Sequence, residues 1–149
     1  SLPVAHDGDA AGPELDVARR EQIRRLIRVH LATVTLGPRS LCRLAGISRS
    51  TLYRLFQDEG GVAGYIQRVR LRRAHAALAT PNEMRPIQAI AERVGFADAS
   101  VFSRAFRQEF GCSPRDVRAA AQAGAPLPAI MARPRAAGPS DLMGLLRQF

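Results

Sequence analysis

Arginine supplies all of the positive charge in this sequence of 149 residues. Every one of its 22 basic positions is arginine, against 13 acidic residues, which gives a formal net charge of +9. The excess lies in the middle of the chain, because residues 17–120 carry 19 arginines and eight acids. A planar guanidinium group can donate two parallel hydrogen bonds to a phosphate, a carboxylate or a guanine base. The charge therefore predicts an anionic partner, either nucleic acid or a lipid surface.

Residues that perform catalysis or bind metals form no recognisable pattern in the sequence. His6, His30 and His75 are far apart and have no acidic partners at a catalytic or metal-binding spacing. Cys42 and Cys112 lie outside any zinc-ligand or disulfide pattern. Phosphate-binding, dinucleotide-binding and metalloprotease motifs are also missing. We therefore predict that the chain is not an enzyme, uses no cofactor and binds no metal.

Composition indicates a folded intracellular domain rather than a membrane protein. Hydrophobic residues make up 46% and charged residues 23% of the chain, which is typical of globular proteins. No apolar run approaches the roughly 18 residues that a membrane span needs, and the N-terminus does not resemble a signal peptide. We predict a cytoplasmic protein with no membrane contact. Because the sequence opens with Ser-Leu-Pro and not with methionine, we expect a piece of something longer.

Helical periodicity covers the folded part of the chain and predicts an all-α protein. Apolar residues recur at three-and-four spacing from Ile23 to Leu31, and no convincing alternating strand appears. Residues 1–13 are small and acidic, which indicates a flexible linker or arm, and residues 14–120 form the predicted folded domain. Residues 121–149 are an Ala/Pro-rich tail that ends in a short predicted helix, Asp141 to Phe149, capped by Ser140.

An internal repeat of about 50 residues is the most informative feature. Sliding the chain on itself by 50 positions superimposes identical residues, among them Ser50 on Ser100, Arg54 on Arg104, Phe56 on Phe106, Gly61 on Gly111 and Arg68 on Arg118. Further upstream the offset becomes 49, because Gly46 matches Gly95. The second copy is therefore predicted to carry one extra residue in its turn.

Each copy has the sequence pattern of a helix-turn-helix motif. A small residue (Cys42 or Ala91) lies four positions before a glycine, and a second helix that begins with a capping residue follows. The small residue allows two helices to cross closely, and the glycine allows a left-handed turn. Two such motifs at fixed spacing in one basic chain strongly favour DNA binding.

These motifs resemble a known family of bacterial transcription regulators. The segment IAERVGFADASVFSRAFRQEFGCSPRDVR (90–118) resembles the C-terminal signature of the AraC/XylS family. The segment LCRLAGISRSTLYRLF (41–56) is similar to the first helix-turn-helix of that family. The resemblance covers about residues 20–120.

The resemblance implies about seven helices, arranged as two homeodomain-like helix-turn-helix subdomains joined by a long helix. The first subdomain would cover residues 14–61, the connecting helix 62–79 and the second subdomain 80–120. A connecting helix over Val62 to Leu78 would be roughly 25 Å long at about 1.5 Å per residue. Two recognition helices at such a separation would enter successive major grooves, about 34 Å apart, on one face of double-stranded DNA.

Eight residues near the start of the two reading helices are the predicted base contacts. They are Arg49, Ser50, Thr51 and Arg54 in the first copy, and Ala99, Ser100, Val101 and Arg104 in the second. Arginine suits this role because its guanidinium group can donate hydrogen bonds to guanine O6 and N7 together, whereas the side chains of Ala99 and Val101 suit thymine methyl groups. A buttressing salt bridge is the alternative role for Arg104.

Two further arginines at predicted helix starts, Arg39 and Arg115, are candidate phosphate contacts. The remaining apolar residues of the reading helices are predicted to face inward: Leu52, Leu55, Phe56, Phe102, Ala105 and Phe106.

The family resemblance also implies partners that lie outside this chain. It makes RNA polymerase a candidate second partner, as expected of an activator, and places a dimerisation or effector domain upstream. Two alternative functions remain open at this point. One is a DNA-binding module of a larger alkylation-response DNA methyltransferase, and the other is a basic protein that binds lipid surfaces.

Overall fold

The computed structural model describes residues 12–130, and these residues form seven α-helices with no strand. The helices are α1 (Pro13–Val29), α2 (Pro38–Ala45), α3 (Arg49–Leu55), α4 (Val62–Leu78), α5 (Ile87–Arg93), α6 (Ala99–Phe110) and α7 (Pro114–Ala123), and a 3₁₀ turn (Gln57–Glu59) follows α3. This confirms the all-α prediction, with α2–α3 and α5–α6 as the two helix-turn-helix pairs. The predicted terminal helix and residues 1–11 of the predicted arm lie outside the described residues.

Capping residues that are visible in the sequence set the helix boundaries. Pro38 begins α2, where its fixed φ and missing N–H suit the first turn of a helix. The Ser48 hydroxyl caps α3 by accepting a hydrogen bond from the Thr51 backbone N–H at 3.2 Å. The Asp98 carboxylate caps α6 by accepting from the Ser100 N–H at 2.7 Å. One recognition helix therefore begins with a neutral cap and the other with an anionic one.

Both helix-turn-helix turns use the same backbone hydrogen bond. In the first turn Gly46 has a φ of 68°, and the Ile47 N–H donates to the Cys42 carbonyl at 3.2 Å. In the second turn the equivalent bond joins the Phe96 N–H to the Ala91 carbonyl at 2.9 Å. These bonds span five residues, as in the Schellman motif that ends many helices at a left-handed glycine.

The second turn is one residue longer than the first, as the change in repeat offset predicts. The cap of α3, Ser48, lies two positions after Gly46, whereas the cap of α6, Asp98, lies three positions after Gly95. The additional residue lies between the turn glycine and the cap. The offset between the two copies therefore changes in this loop.

The described residues divide into two compact units, and the boundary falls inside α4, between Ile66 and Gln67. The first unit contains residues 12–31 and 35–66, and the second contains residues 32–34 and 67–130. Each unit has its own buried apolar residues. Those of the first are Ile23, Ile27, Leu31, Leu36, Leu41, Leu52, Leu55, Phe56, Val62 and Ile66. Those of the second include Leu71, Ala74, Leu78, Ile90, Val94, Phe96, Phe102, Phe106, Phe110 and Val117.

All six residues that were predicted to face inward from the two recognition helices are buried. This result confirms the predicted faces of α3 and α6. The α7 helix ends at Ala123 and so includes the first three residues of the predicted tail, and Gly124 caps it with a φ of 67°. Within residues 12–130, no helix is long and apolar enough to cross a membrane.

His75 joins α4 to α6 through aromatic packing inside the second unit. Its ring stacks on Phe106 at a centroid distance of 5.9 Å and contacts Phe110 at 4.6 Å. Its Nε2 atom is buried and has no hydrogen-bond partner in the described part of the chain. Burial therefore lowers the pKa of His75 below the ordinary value of 6.5.

We expect the second unit to lose stability as the pH falls from 7 to 5. The unfolded chain takes up a proton at His75 near pH 6.5, whereas the folded chain resists protonation until the pH drops below its lower pKa. Urea unfolding of wild type and His75→Leu at several pH values checks this. The leucine variant should show a smaller fall in unfolding free energy over this range. Equal falls in the two proteins would mean that His75 is not responsible.

Candidate nucleic-acid interface

The recognition helix α3 separates into an exposed polar face and a buried face. Because a helix turns about 100° per residue, positions i, i+1, i+4 and i+5 share one face. Four exposed side chains of α3 follow this spacing: Arg49, Ser50, Tyr53 and Arg54. They form the face that is open to a ligand, and we call this set the α3 face.

Thr51, one of the predicted base contacts, is buried, with only 4% of its surface exposed. Its hydroxyl accepts a hydrogen bond from the Ser48 hydroxyl at 2.9 Å, and its N–H donates to the same oxygen. Thr51 therefore belongs to the capping arrangement at the start of α3. Its repeat partner Val101 is 42% exposed, so the two copies differ at this position.

Tyr53 is exposed on the α3 face, although it was not among the predicted base contacts. It is 49% exposed, and its hydroxyl accepts a hydrogen bond from Arg49 Nη2 at 3.3 Å. The Arg49 guanidinium carbon also lies 6.0 Å from the centre of the tyrosine ring, in reach of a cation–π interaction. The signal in the sequence was the i+4 spacing from Arg49. The alignment of the two copies did not point to Tyr53, because the matching residue in the second copy is Ser103.

Arg54 makes a two-pronged ion pair with Asp16 of α1. Arg54 Nη1 lies 2.6 Å from Asp16 Oδ2, and Nη2 lies 3.3 Å from Oδ1. The Arg54 side chain is 42% exposed and the Asp16 side chain 20% exposed. The hydrogen bond from Arg54 is the main reason that the pKa of Asp16 lies below its usual range. The salt bridge considered above for Arg104 is thus found at its repeat partner.

Two arginines of α1 make further polar contacts with the end of α3. Arg20 Nε donates to the Leu55 carbonyl at 3.0 Å, which satisfies a carbonyl at the C-terminal end of the helix. Arg24 lies 3.5 Å from Glu59 in the following 3₁₀ turn. Since Asp16, Arg20 and Arg24 recur every four residues, they share one face of α1. We call these three residues the α1 polar stripe.

The four predicted base contacts of α6 are all exposed: Ala99, Ser100, Val101 and Arg104. No hydrogen bond or ion pair involves the Arg104 side chain within residues 12–130. Arg104 therefore differs from Arg54, although the repeat aligns them.

Asp98, which sequence reasoning missed, gives the start of α6 a negative charge. Its carboxylate accepts from the Ser100 N–H at 2.7 Å and the Val101 N–H at 3.4 Å. The backbone hydrogen bond from Ser100 is the main reason that the pKa of Asp98 is lowered. These two N–H groups are therefore already engaged and are not open to a phosphate. The signal was its repeat position, 50 residues after the cap Ser48.

The two predicted phosphate contacts lie in different electrostatic surroundings. Arg39 is exposed in the first turn of α2, and that turn contains no acidic residue. Arg115 is exposed in the first turn of α7, next to Asp116. Ser113 and Asp116 cap each other's backbone N–H groups there, both at 3.1 Å. The start of α2 is thus the more favourable site for an anion.

Nothing in the described residues adds a metal or nucleophile to this surface. Within residues 12–130, no group of three or more His, Cys, Asp or Glu side chains could hold a metal ion. Burial raises the pKa of the Cys42 and Cys112 thiols, which keeps them protonated near neutral pH.

Comparison with known sequences gives the same interpretation. A family model described as a helix-turn-helix domain matches residues 41–120. The transcriptional activator RclR of Escherichia coli, named as RCS-specific and HTH-type, is 39% identical over 79 residues, 53% of this chain and 28% of its own length. The transcriptional activator NphR of a Rhodococcus species is 34% identical over 114 residues, 72% of this chain and 33% of its own length. The chain thus spans about a third of the length of these relatives.

Two solved structures with similar folds come from transcription or response regulators. A transcriptional regulator with an AraC-type DNA-binding domain from Chromobacterium violaceum superimposes with a TM-score of 0.64 at 26% identity, over 72% of this chain and 96% of that one. The C-terminal domain of the response regulator AraT from Geobacillus stearothermophilus gives a TM-score of 0.61 at 27% identity, over 74% and 88% of the two chains. With its two helix-turn-helix pairs and the match over residues 41–120, this chain belongs to the AraC/XylS family of helix-turn-helix transcription regulators.

Proposed function

We propose that this chain binds double-stranded DNA sequence-specifically through α3 and α6 and thereby regulates bacterial transcription. The observation that carries the proposal is the repeated arrangement itself. Each helix-turn-helix pair ends in a helix whose open face carries an arginine one turn from its start, Arg54 or Arg104. A recognition helix presents this part of its surface to base edges in the major groove.

The proposed base contacts are the α3 face and the four exposed residues of α6 that were predicted to contact bases. On α3, Arg49 and Arg54 supply hydrogen-bond donors for guanine, and Ser50 and Tyr53 extend the polar surface. On α6, Arg104 and Ser100 supply the donors, while the side chains of Ala99 and Val101 suit thymine methyl groups. The first helix carries the larger number of polar groups and makes more of the hydrogen-bonded contacts.

The proposed complex has both recognition helices in successive major grooves on one side of the duplex. Arg39 and Arg115 contact phosphates at the helix starts and fix the orientation of the chain, while the base contacts determine the sequence. One chain would then read two half-sites whose centres lie about 10 base pairs apart.

A selection from randomised duplexes tests this proposal directly. Bound duplexes from several rounds at about 0.15 M salt are sequenced and compared with the starting pool. We expect an enriched motif with two conserved blocks about one helical turn apart. Binding without any enriched motif would show that the chain attaches to DNA through charge alone, and the proposal of sequence-specific binding would fail.

Two arginine variants separate base contacts from phosphate contacts. We expect Arg54→Ala to relax the preference at one base position, with a loss of about 1–3 kcal/mol of discrimination. We expect Arg39→Ala to weaken binding to all sequences alike and to reduce the slope of log K against log salt by about one. Titrations against the selected site, single-base variants and unrelated duplexes at several salt concentrations measure both effects. The assignments would be reversed if Arg39→Ala changed the preferred base.

The proposed function implies partners outside this chain. We infer that a dimerisation or effector domain belongs to the complete protein, because the chain matches only about a third of its relatives. The relatives RclR and NphR are named as transcriptional activators. We propose the same role for this protein, with RNA polymerase as a second partner in the bacterial cytoplasm. No observation favours the methyltransferase module or the lipid-binding protein.

A further inference from the structure

We propose that Asp16 sets the sequence specificity of this chain by neutralising the charge of Arg54. Arg54 then contributes hydrogen bonds to a base edge but little to the attraction that every DNA sequence exerts on a cation. This inference rests on the proposed DNA-binding function and adds a positioning residue to it, outside both helix-turn-helix pairs.

The geometry of the ion pair supports this role. Both terminal nitrogens of Arg54 are engaged by the two carboxylate oxygens of Asp16, at 2.6 and 3.3 Å. Two parallel bonds fix the plane of a guanidinium group, and a single bond does not. Asp16 therefore restricts the orientation of Arg54 as well as its charge.

The α1 polar stripe keeps Asp16 next to α3. One and two turns further along α1, Arg20 bonds to the Leu55 carbonyl at 3.0 Å and Arg24 lies 3.5 Å from Glu59. Ile23 and Ile27, which also belong to α1, are fully buried in the first unit. The packing of α1 thus keeps Asp16 beside α3.

A neutralised arginine affects DNA binding differently from an uncompensated one. Sequence-independent binding comes from cations that displace counterions, and each phosphate contact adds about 0.9 to the slope of log K against log salt. An ion pair has no net charge and adds little to this slope. A guanidinium group carries five N–H donors, so an arginine that is held by a carboxylate can still donate hydrogen bonds to a base.

The second copy of the repeat provides a comparison within the same chain. Arg104 aligns with Arg54, but within residues 12–130 its side chain makes no ion pair. We therefore infer that Arg104 contributes to the salt dependence of DNA binding and that Arg54 does not.

The substitution Asp16→Asn tests the inference, because it removes the charge and keeps the shape. Affinities for the selected site and for an unrelated duplex are measured between 50 and 200 mM salt. We expect the slope for the unrelated duplex to steepen by about 0.9, which is about a threefold effect over this range. We also expect the ratio of specific to unrelated affinity to fall. A purely structural role of Asp16 would weaken binding to both duplexes and would not steepen the slope.

Two further variants complete the test. Glu14→Gln makes the same change in net charge in the same turn of α1, and Glu14 has no ion pair within residues 12–130. We expect Glu14→Gln to change the salt slope by less than half of the change that Asp16→Asn produces. When Arg54 is already replaced by alanine, Asp16→Asn should change the salt slope for the unrelated duplex no more than Glu14→Gln does. Thermal unfolding, followed by circular dichroism, establishes that each variant is folded.

The outcomes separate this inference from the proposed function. Equal slopes for Asp16→Asn and Glu14→Gln would overturn the role of Asp16, even if wild type binds its selected site specifically. Loss of the effect in the Arg54→Ala background would support the role. If wild type shows no preferred sequence, the proposed function has failed, and a steeper slope for Asp16→Asn would then show neutralisation of Arg54 without any role in specificity.

Discussion

Replacing Phe106 with alanine is expected to lower the unfolding free energy of the second unit by about 3–5 kcal/mol. The Phe106 ring is fully buried and lies at the centre of an aromatic cluster. Its centroid is 4.7 Å from that of Phe110, 5.6 Å from Phe102 and 5.9 Å from His75. An alanine would leave a cavity between α4 and α6. Since domains are stable by only about 5–15 kcal/mol, this loss would be a large part of the total.

Urea unfolding followed by circular dichroism measures the effect, with Val101→Ala as the matched control on the same helix. Val101 is 42% exposed, so its truncation should change stability by less than about 0.5 kcal/mol. We also expect Phe106→Ala to weaken specific DNA binding, because α6 would no longer be held in place. A loss of under 1 kcal/mol would mean that the cluster is not a close-packed core.

Replacing Arg104 with alanine is expected to reduce discrimination at one base pair by about 1–3 kcal/mol, or about 5- to 150-fold in relative affinity. The side chain is exposed on the second turn of α6, and within residues 12–130 it makes no ion pair that would have to be broken on binding. Because Arg104 makes no ion pair within residues 12–130, its loss should also reduce the salt slope. The corresponding change at Arg54 should leave that slope unaltered.

Arg107→Ala is the control for removing a cation from the same helix. Arg107 is exposed one turn nearer the end of α6, beyond the positions that enter the groove. Binding of both variants to single-base variants of the selected site distinguishes them. If Arg104→Ala weakened all sequences equally, Arg104 would contact a phosphate and not a base.

Much of the fold could be predicted because short-range signals determine it. The glycine turns at Gly46 and Gly95, the Ser48 cap and the proline start of α2 act over a few residues, so their effects can be read in the sequence. The predicted connecting helix, Val62 to Leu78, has the observed limits of α4. The burial of Phe56 and Phe106 followed from helical periodicity, which depends only on spacing.

The details of the candidate site could not be predicted, because they depend on contacts between distant residues. Asp16 and Arg54 are 38 positions apart, and no spacing in the sequence relates them. The repeat equated Thr51 with Val101, yet one is buried and the other exposed. Residues at the same position in two helices point in the same direction from the helix axis. Whether such a residue is buried depends on the elements that pack against that side of each helix.

The position of α1 matters for anyone who prepares a smaller form of this protein. The family match begins at residue 41, so a fragment trimmed to residues 41–120 would omit α1 entirely. It would lack Ile23 and Ile27, which are fully buried, and would expose the apolar groups they cover. It would also release Arg54 from Asp16. We expect such a fragment to discriminate less between its specific site and unrelated DNA than the intact domain does.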